Sequence, residues 1–140
     1  MTQFIQFYFN GNDPAGLSKT ILINPGPTNF IEQTYFSYPL YDFLNIQVGY
    51  LAGNTVVQQI TPSLYEVKLI STYHFGNTGS ITWQYTFLSK NTDNHYPEII
   101  ANAAPIVSAT GQYYSKTGIV SLKTLPNSRN EVTVKFITSL

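Results

Sequence analysis

The stretch Gly79-Ser80-Ile81-Thr82-Trp83-Gln84-Tyr85-Thr86-Phe87 puts Ile81, Trp83, Tyr85 and Phe87 on one side and Ser80, Thr82, Gln84 and Thr86 on the other. A period of two is the signature of a strand with one buried face, because successive Cβ atoms point to opposite sides of a sheet. Immediately upstream, Tyr65, Val67, Leu69, Ser71, Tyr73 and Phe75 alternate with Glu66, Lys68, Ile70, Thr72 and His74. Between the two runs lies Gly76-Asn77-Thr78-Gly79, whose glycines and asparagine tolerate the positive φ of a hairpin turn.

Working outward, the same reading places strands at residues 4–9, 19–23, 46–59, 99–107, 114–123 and 131–137. Turn residues punctuate them: Asn10-Gly11-Asn12-Asp13-Pro14, Asn24-Pro25-Gly26-Pro27, Gly53-Asn54 and Pro126-Asn127. Eight strands and no convincing helix give an all-β chain, residues 1–140 forming a single domain. Closure into an eight-stranded antiparallel up-and-down β-barrel, lipocalin-like in shape, is favoured over an open sheet. Long aromatic strands would otherwise leave adhesive edges. Strand 4–9 is apolar on both faces, with Ile5, Phe7 and Phe9 on one and Phe4 and Tyr8 on the other, which points to a homo-oligomer (dimer or trimer) covering the exterior.

Composition narrows the function. Lys+Arg and Asp+Glu each number 7, the net charge is zero and charged residues make up only 10% of the chain. No basic face exists for nucleic acid or for an anionic membrane surface. The absence of cysteine excludes disulfides, thiol catalysis and Cys-ligated zinc. With no signal peptide visible at Met1-Thr2-Gln3-Phe4 and no apolar run long enough to span a bilayer, a cytoplasmic location is favoured.

Among candidate chemistries, metal binding finds only His74 and His95 without a carboxylate cluster, so no metal site is expected. No nucleophile elbow or phosphate loop is present. Glu66 and Lys68 read as a solvated ion pair on one strand face, and Asp42 as a local turn cap. Glu32, among the aromatics of Asn29-Phe30-Ile31-Glu32-Gln33-Thr34-Tyr35-Phe36, is either a surface carboxylate on the loop before Leu40 or, if it faces a cavity, a usable acid or base. The aromatic set is the most informative feature: Tyr8, Tyr50, Tyr73, Trp83, Tyr85 and Tyr114 combine an apolar body with a donor at the tip. Such side chains either fill the core or line a pocket for an apolar substrate.

Three segments in order resemble the allene oxide cyclase–dirigent superfamily of small barrels. They are Leu40-Tyr41-Asp42 with Ile46-Gln47-Val48-Gly49-Tyr50-Leu51-Ala52-Gly53; Ser71-Thr72-Tyr73-His74-Phe75-Gly76 with Gly79-Ser80-Ile81-Thr82; and Pro105 to Tyr114 followed by Gly118-Ile119-Val120-Ser121-Leu122. In the third, Ser108-Ala109 replaces the family's glycine pair, while Thr110-Gly111 is kept. The resemblance implies an eight-stranded barrel with a ligand cavity, often in oligomers. Plant allene oxide cyclases carry a glutamate and an asparagine on the first strand. Asn10 matches the asparagine and nothing matches the glutamate, so the allene-oxide reaction itself is not implied. The barrel is also similar to bacterial cyclases that close rings by cycloaddition.

The resulting expectation is a cofactor-independent cyclase or isomerase. It would fold a small, linear, apolar polyene or enone in an aromatic cavity and promote ring closure by proximity and hydrogen bonding. Tyr73, Trp83, Tyr85 and Glu32 are the candidate catalytic residues; Tyr8, Asn10, Tyr50 and Tyr114 are the candidate substrate-binding residues. The alternatives are a non-catalytic dirigent-like or lipocalin-like binder and a structural interaction domain.

Overall fold

The computed structural model describes residues 2–24, 28–90 and 104–137. Nine strands follow one another: β1 (Thr2–Asn10), β2 (Leu17–Asn24), β3 (Ile31–Tyr41), β4 (Gln47–Thr61), β5 (Leu64–His74), β6 (Gly79–Ser89), β7 (Ala104–Gly111), β8 (Thr117–Thr124) and β9 (Arg129–Ile137). All pairings are antiparallel, in the spatial order β1-β9-β8-β7-β6-β5-β4-β3-β2, and a further β1–β3 pairing at Tyr8 opposite Tyr41 closes the sheet. Eight strands therefore form a closed barrel and β2 is an extra strand on its wall.

This corrects the strand assignment without changing the architecture. The eighth barrel strand is not residues 19–23 but β3, whose sequence reads as a loop. β1 and β2 pair with the same edge of β3: β2 from Leu17 opposite Ser37 onward, β1 at Tyr41. The chain thus runs along one edge twice, with residues 11–16 pushed out between. Strand 99–107 is realised as β7, shifted toward its carboxyl end; residues 99–103 lie outside the described residues, as do Pro25-Gly26-Pro27, His95 and the polar loop 91–97.

Register fixes which face is inside. Cross-strand partners share a face, so rows can be read across β3, β4, β5 and β6. The first is Glu32–Val57–Val67–Phe87, the second Thr34–Thr55–Leu69–Tyr85, the third Phe36–Gly53–Ser71–Trp83 and the fourth Tyr38–Leu51–Tyr73–Ile81. Val57, Leu51, Val67, Leu69, Tyr73, Ile81 and Trp83 are buried, which makes this the interior face. From the opposite wall, Phe7, Val120, Leu122, Val132 and Val134 complete the core. Phe7 meets Tyr73 edge-on at 4.8 Å and Phe75 at 5.1 Å between centroids, tying the two walls together. Burying side chains of this size supplies about 1.5–3 kcal/mol each relative to exposure, the dominant favourable term in the fold.

Close approaches require glycine at several positions, two of which bear on the interior and on the β6–β7 joint. A Cβ on Gly53 would meet the Ile70 carbonyl oxygen at 2.6 Å and the Phe36 ring at 2.8 Å. Gly111 has φ +64 and stands against the Thr78 carbonyl, so the retained Thr110-Gly111 of the third sequence segment sets the joint between β6 and β7. The 3₁₀ turn Gly76–Thr78 caps the β5–β6 hairpin where the sequence places it.

Candidate functional site

Along β6 the inward side chains pass from half-buried Phe87 and Tyr85 to fully buried Trp83 and Ile81; along β3 Glu32, Thr34, Phe36 and Tyr38 are all half-buried, and between these strands Val57, Val67, Thr55, Leu69, Ser71 and Tyr73 are buried. Phe30 and Tyr65 stand edge-to-face at 6.1 Å near the same end, and Tyr85 and Phe87 are 6.2 Å apart. This end of the inner face, its mouth, carries the aromatics Phe30, Tyr65, Tyr85 and Phe87 with the Glu32 carboxylate and the Thr34 hydroxyl.

At the centre lies a polar pair in apolar surroundings. Trp83 Nε1 donates to the Tyr73 hydroxyl oxygen at 2.8 Å, both residues being fully buried. Buried donors and acceptors are tolerated only when partnered, and the low local dielectric strengthens the bond that partners them. Accepting the indole proton polarises the phenol, which makes its own O–H a better donor. Ser71, buried in the row of Trp83, and Thr55, buried in the next row, extend the polar strip.

The sequence-derived candidates therefore separate. Tyr73, Trp83, Tyr85 and Glu32 share the interior face, Tyr73 and Trp83 at its centre and Tyr85 and Glu32 toward its mouth. Tyr50 and Tyr114 do not join them. Tyr50 pairs with Pro39 and His74 on the outer face and is 59% exposed, while Tyr114 sits on the β7–β8 turn, 74% exposed. Tyr8 and Asn10 belong to a different place again, an external cleft of about 530 Å³ beside the β1–β3 closure.

In that cleft the Tyr8 hydroxyl donates to Glu131 at 3.3 Å, and Tyr41 to Asp13 at 3.1 Å. Arg129 lies 4.0 Å from the Tyr8 ring centroid. Desolvation first, then the nearby Glu131 carboxylate, raise the Tyr8 pKa, with Arg129 opposing; desolvation first, then Asp13, raise that of Tyr41. Both phenols accordingly stay protonated donors at neutral pH. Sequence reasoning missed Tyr41, Asp13 and Arg129 as a group, because their meeting depends on a closure between distant strands. Glu66 and Lys68 do form a surface ion pair at 3.4 Å, and Asp42 accepts from the Leu44 and Ile46 amides. Among the described residues no group of three His, Asp or Glu side chains could hold a metal.

Solved structures share this arrangement of strands. Pyocyanin demethylase superposes with a TM-score of 0.66 at 18% identity, over 98% of this chain and 100% of the other. The Diels Alderase AbmU from Streptomyces koyangensis gives 0.59 at 16%, over 98% and 70%. The pterocarpan synthase dirigent protein GePTS1 gives 0.57 at 14%, over 97% and 87%. The fold is the barrel that these structures share. No protein-family model and no curated protein matches the sequence. At these identities the dirigent-like barrel is what is shared, and the chemistry has to be argued from the chain's own residues.

Proposed function

We propose that this dirigent-like barrel is a cofactor-independent cyclase or isomerase acting on a small, linear, apolar polyene or enone. The observation that carries the reading is the Tyr73–Trp83 hydrogen-bonded pair, fully buried behind a mouth of inward-facing aromatics. An apolar chain entering between Tyr65, Tyr85 and Phe87 is desolvated by their rings and held folded. Holding the reacting carbons in contact converts an improbable conformer into the bound one, a contribution of up to about 7–11 kcal/mol in well-oriented systems.

A substrate carbonyl that reaches the centre is polarised by the neutral Tyr73–Trp83 pair, and as the ring closes the charge growing on that oxygen is met by those fixed dipoles. Cycloaddition turns π bonds of the substrate into σ bonds within the substrate, so no proton, electron or co-reactant leaves or enters. Glu32 and Thr34, at the mouth, orient a polar end group. Support from the comparisons is the presence among fold neighbours of a cyclase that catalyses [4 + 2] cycloaddition and of a Diels Alderase. The exposed apolar side chains Phe4, Leu17, Leu22 and Ile23 support assembly into a dimer or trimer, measurable by light scattering.

The test uses Trp83, the only tryptophan of the chain, as its own reporter. A panel of linear 1,3-dienes bearing an enone is added while Trp83 emission and product formation are followed. Catalysis predicts a cyclised product formed faster with protein than without, and slowed in Tyr73→Phe. Emission changes without product would instead establish the second reading, a non-catalytic binder, which the dirigent neighbour favours.

A further inference from the structure

The cleft outside the barrel is a second built site, and it owes nothing to the interior reading. Its floor is the foot of the closure, where Tyr8 of β1 stands opposite Tyr41 of β3. One wall is the segment between β1 and β2, the other the turn between β3 and β4 with Asn45, and Arg129 opens β9 beside them. The polar groups are held in place before any ligand arrives. Asp13 accepts from the Ala15 amide at 2.9 Å through Oδ1 and from the Tyr41 hydroxyl at 3.1 Å through Oδ2. Asn10 Oδ1 accepts from the Asn12 amide at 2.8 Å, and Asn10 Nδ2 donates to the Asn127 carbonyl at 3.3 Å.

Three properties of the lining select a ligand class. Charge comes first: Arg129 is the one cation, whereas Asp13 lines the cleft and Glu131 adjoins Tyr8. Carboxylates outnumber the guanidinium, so a phosphate or carboxylate ligand meets net repulsion. Polarity comes second: amide, carboxylate, hydroxyl and guanidinium groups would lose water to an apolar ligand and regain nothing. Third, the Tyr41 ring offers a flat apolar patch, the Tyr8 ring carrying Arg129 over one face, while Asn10, Asn45, Asp13 and Arg129 carry planar forks of paired donors or acceptors. A pyranose ring is complementary on both counts, with a face of C–H groups and a rim of adjacent hydroxyls that donate and accept. About 530 Å³ lies within the roughly 300–1,000 Å³ of small-molecule sites.

We propose that the external cleft between Tyr8, Tyr41 and Asn45 binds a neutral carbohydrate of one or two pyranose units. A ring stacks on Tyr41, and vicinal hydroxyls bridge Asn45, Asp13 and the Arg129 guanidinium that covers Tyr8. The interior site and this cleft are then addressed by ligands of opposite chemistry, apolar within and polyhydroxylated without.

The experiment titrates the full chain with glucose, galactose, mannose, maltose, cellobiose and lactose, followed by amide NMR shifts and calorimetry. Saturable binding in about the millimolar range, with shifts centred on Tyr8, Tyr41 and Asn45 and no change in Trp83 emission, supports the site. Asn45→Gly is the cleanest variant, because Asn45 has φ +66, a conformation glycine adopts freely, so the side chain is removed without strain. It should weaken binding about 5-fold or more while leaving the melting temperature unchanged; Arg129→Ala should weaken binding likewise, with the small loss of stability that removing its contact with Tyr8 brings. The proposal is overturned by any of three results: no saccharide of the panel saturates, binding is untouched by Asn45→Gly, or inorganic phosphate or acetate binds in the cleft in preference to the sugars.

Discussion

Tyrosine does two different things on the two sides of this barrel wall. Inside, Tyr73 is fully buried, and its oxygen accepts from a neutral indole at 2.8 Å. Outside, Tyr8 and Tyr41 are partly exposed and give their protons to carboxylates, Glu131 and Asp13. The inner phenol belongs to a neutral strip that offers hydrogen-bond strength without charge. The outer phenols belong to a charged, hydrated cluster, suited to ligands that keep their own hydrogen bonds. The same side chain is a core element in one setting and a surface fixture in the other, and substitution separates the two.

The largest effect is expected from Trp83→Ala, which removes the biggest fully buried side chain and leaves Tyr73 without its donor. It should cost about 3–5 kcal/mol in a denaturant titration; a cost near that of a surface change would show the interior to be loosely packed. Gly53→Ala comes next, because its methyl group would press on the Ile70 carbonyl and the Phe36 ring in the row of Trp83. Overpacking there should cost about 1–3 kcal/mol, visible as a lowered melting temperature.

Tyr73→Phe tests the polar pair alone, with the ring retained. Leaving the indole donor without that acceptor should cost about 1–2 kcal/mol, whereas Tyr41→Phe, at a hydrated site, should cost less than about 1 kcal/mol. The outer pair adds a pH signature. Because folding raises the pKa of Tyr8 and Tyr41 above 10.0, their contribution is fully present below pH 10 and is lost as the pH climbs through their folded values. Wild-type stability should therefore fall more steeply in strong alkali than that of the Tyr8→Phe/Tyr41→Phe double variant, as read by melting temperature against pH. The smallest effect belongs to Glu66→Gln, which dissolves an exposed pair and should change stability by no more than about 0.5 kcal/mol, disappearing in high salt.

How much of this was legible in sequence follows from which residues alternate. β5 and β6 alternate cleanly, so the side-by-side placement of Tyr73 and Trp83 on one face is read from spacing alone. β3 does not alternate. Its inward set is Glu32, Thr34, Phe36, Tyr38 and Leu40, and its outward set includes Ile31, Tyr35 and Pro39, so both faces mix polar and apolar residues and the strand passes for a loop. Pro39 adds to the disguise, since proline argues against a strand. In the structure it falls in the interval between the β2 ladder, which ends at Ser37, and the β1 rung at Tyr41, a place that suits a residue without an N–H. Missing β3 is also why Glu32 reads as a surface carboxylate, although its row partners Val57 and Val67 place it on the inner face. Tyr50 and Tyr114 were indistinguishable from their inward counterparts because aromatic residues populate both faces of this wall. The external cleft had no local signal, its parts coming from β1, β3, β9 and two turns.

The pairing of β1 with β9 joins residues 2–10 to residues 129–137. Apart from this ladder and the single β1–β3 rung, every pairing joins strands consecutive in sequence, so β1 gains its full ladder only once β9 is in place. Completion of the cylinder is thus a late, long-range event, and refolding from denaturant should be limited by that step rather than by the hairpins.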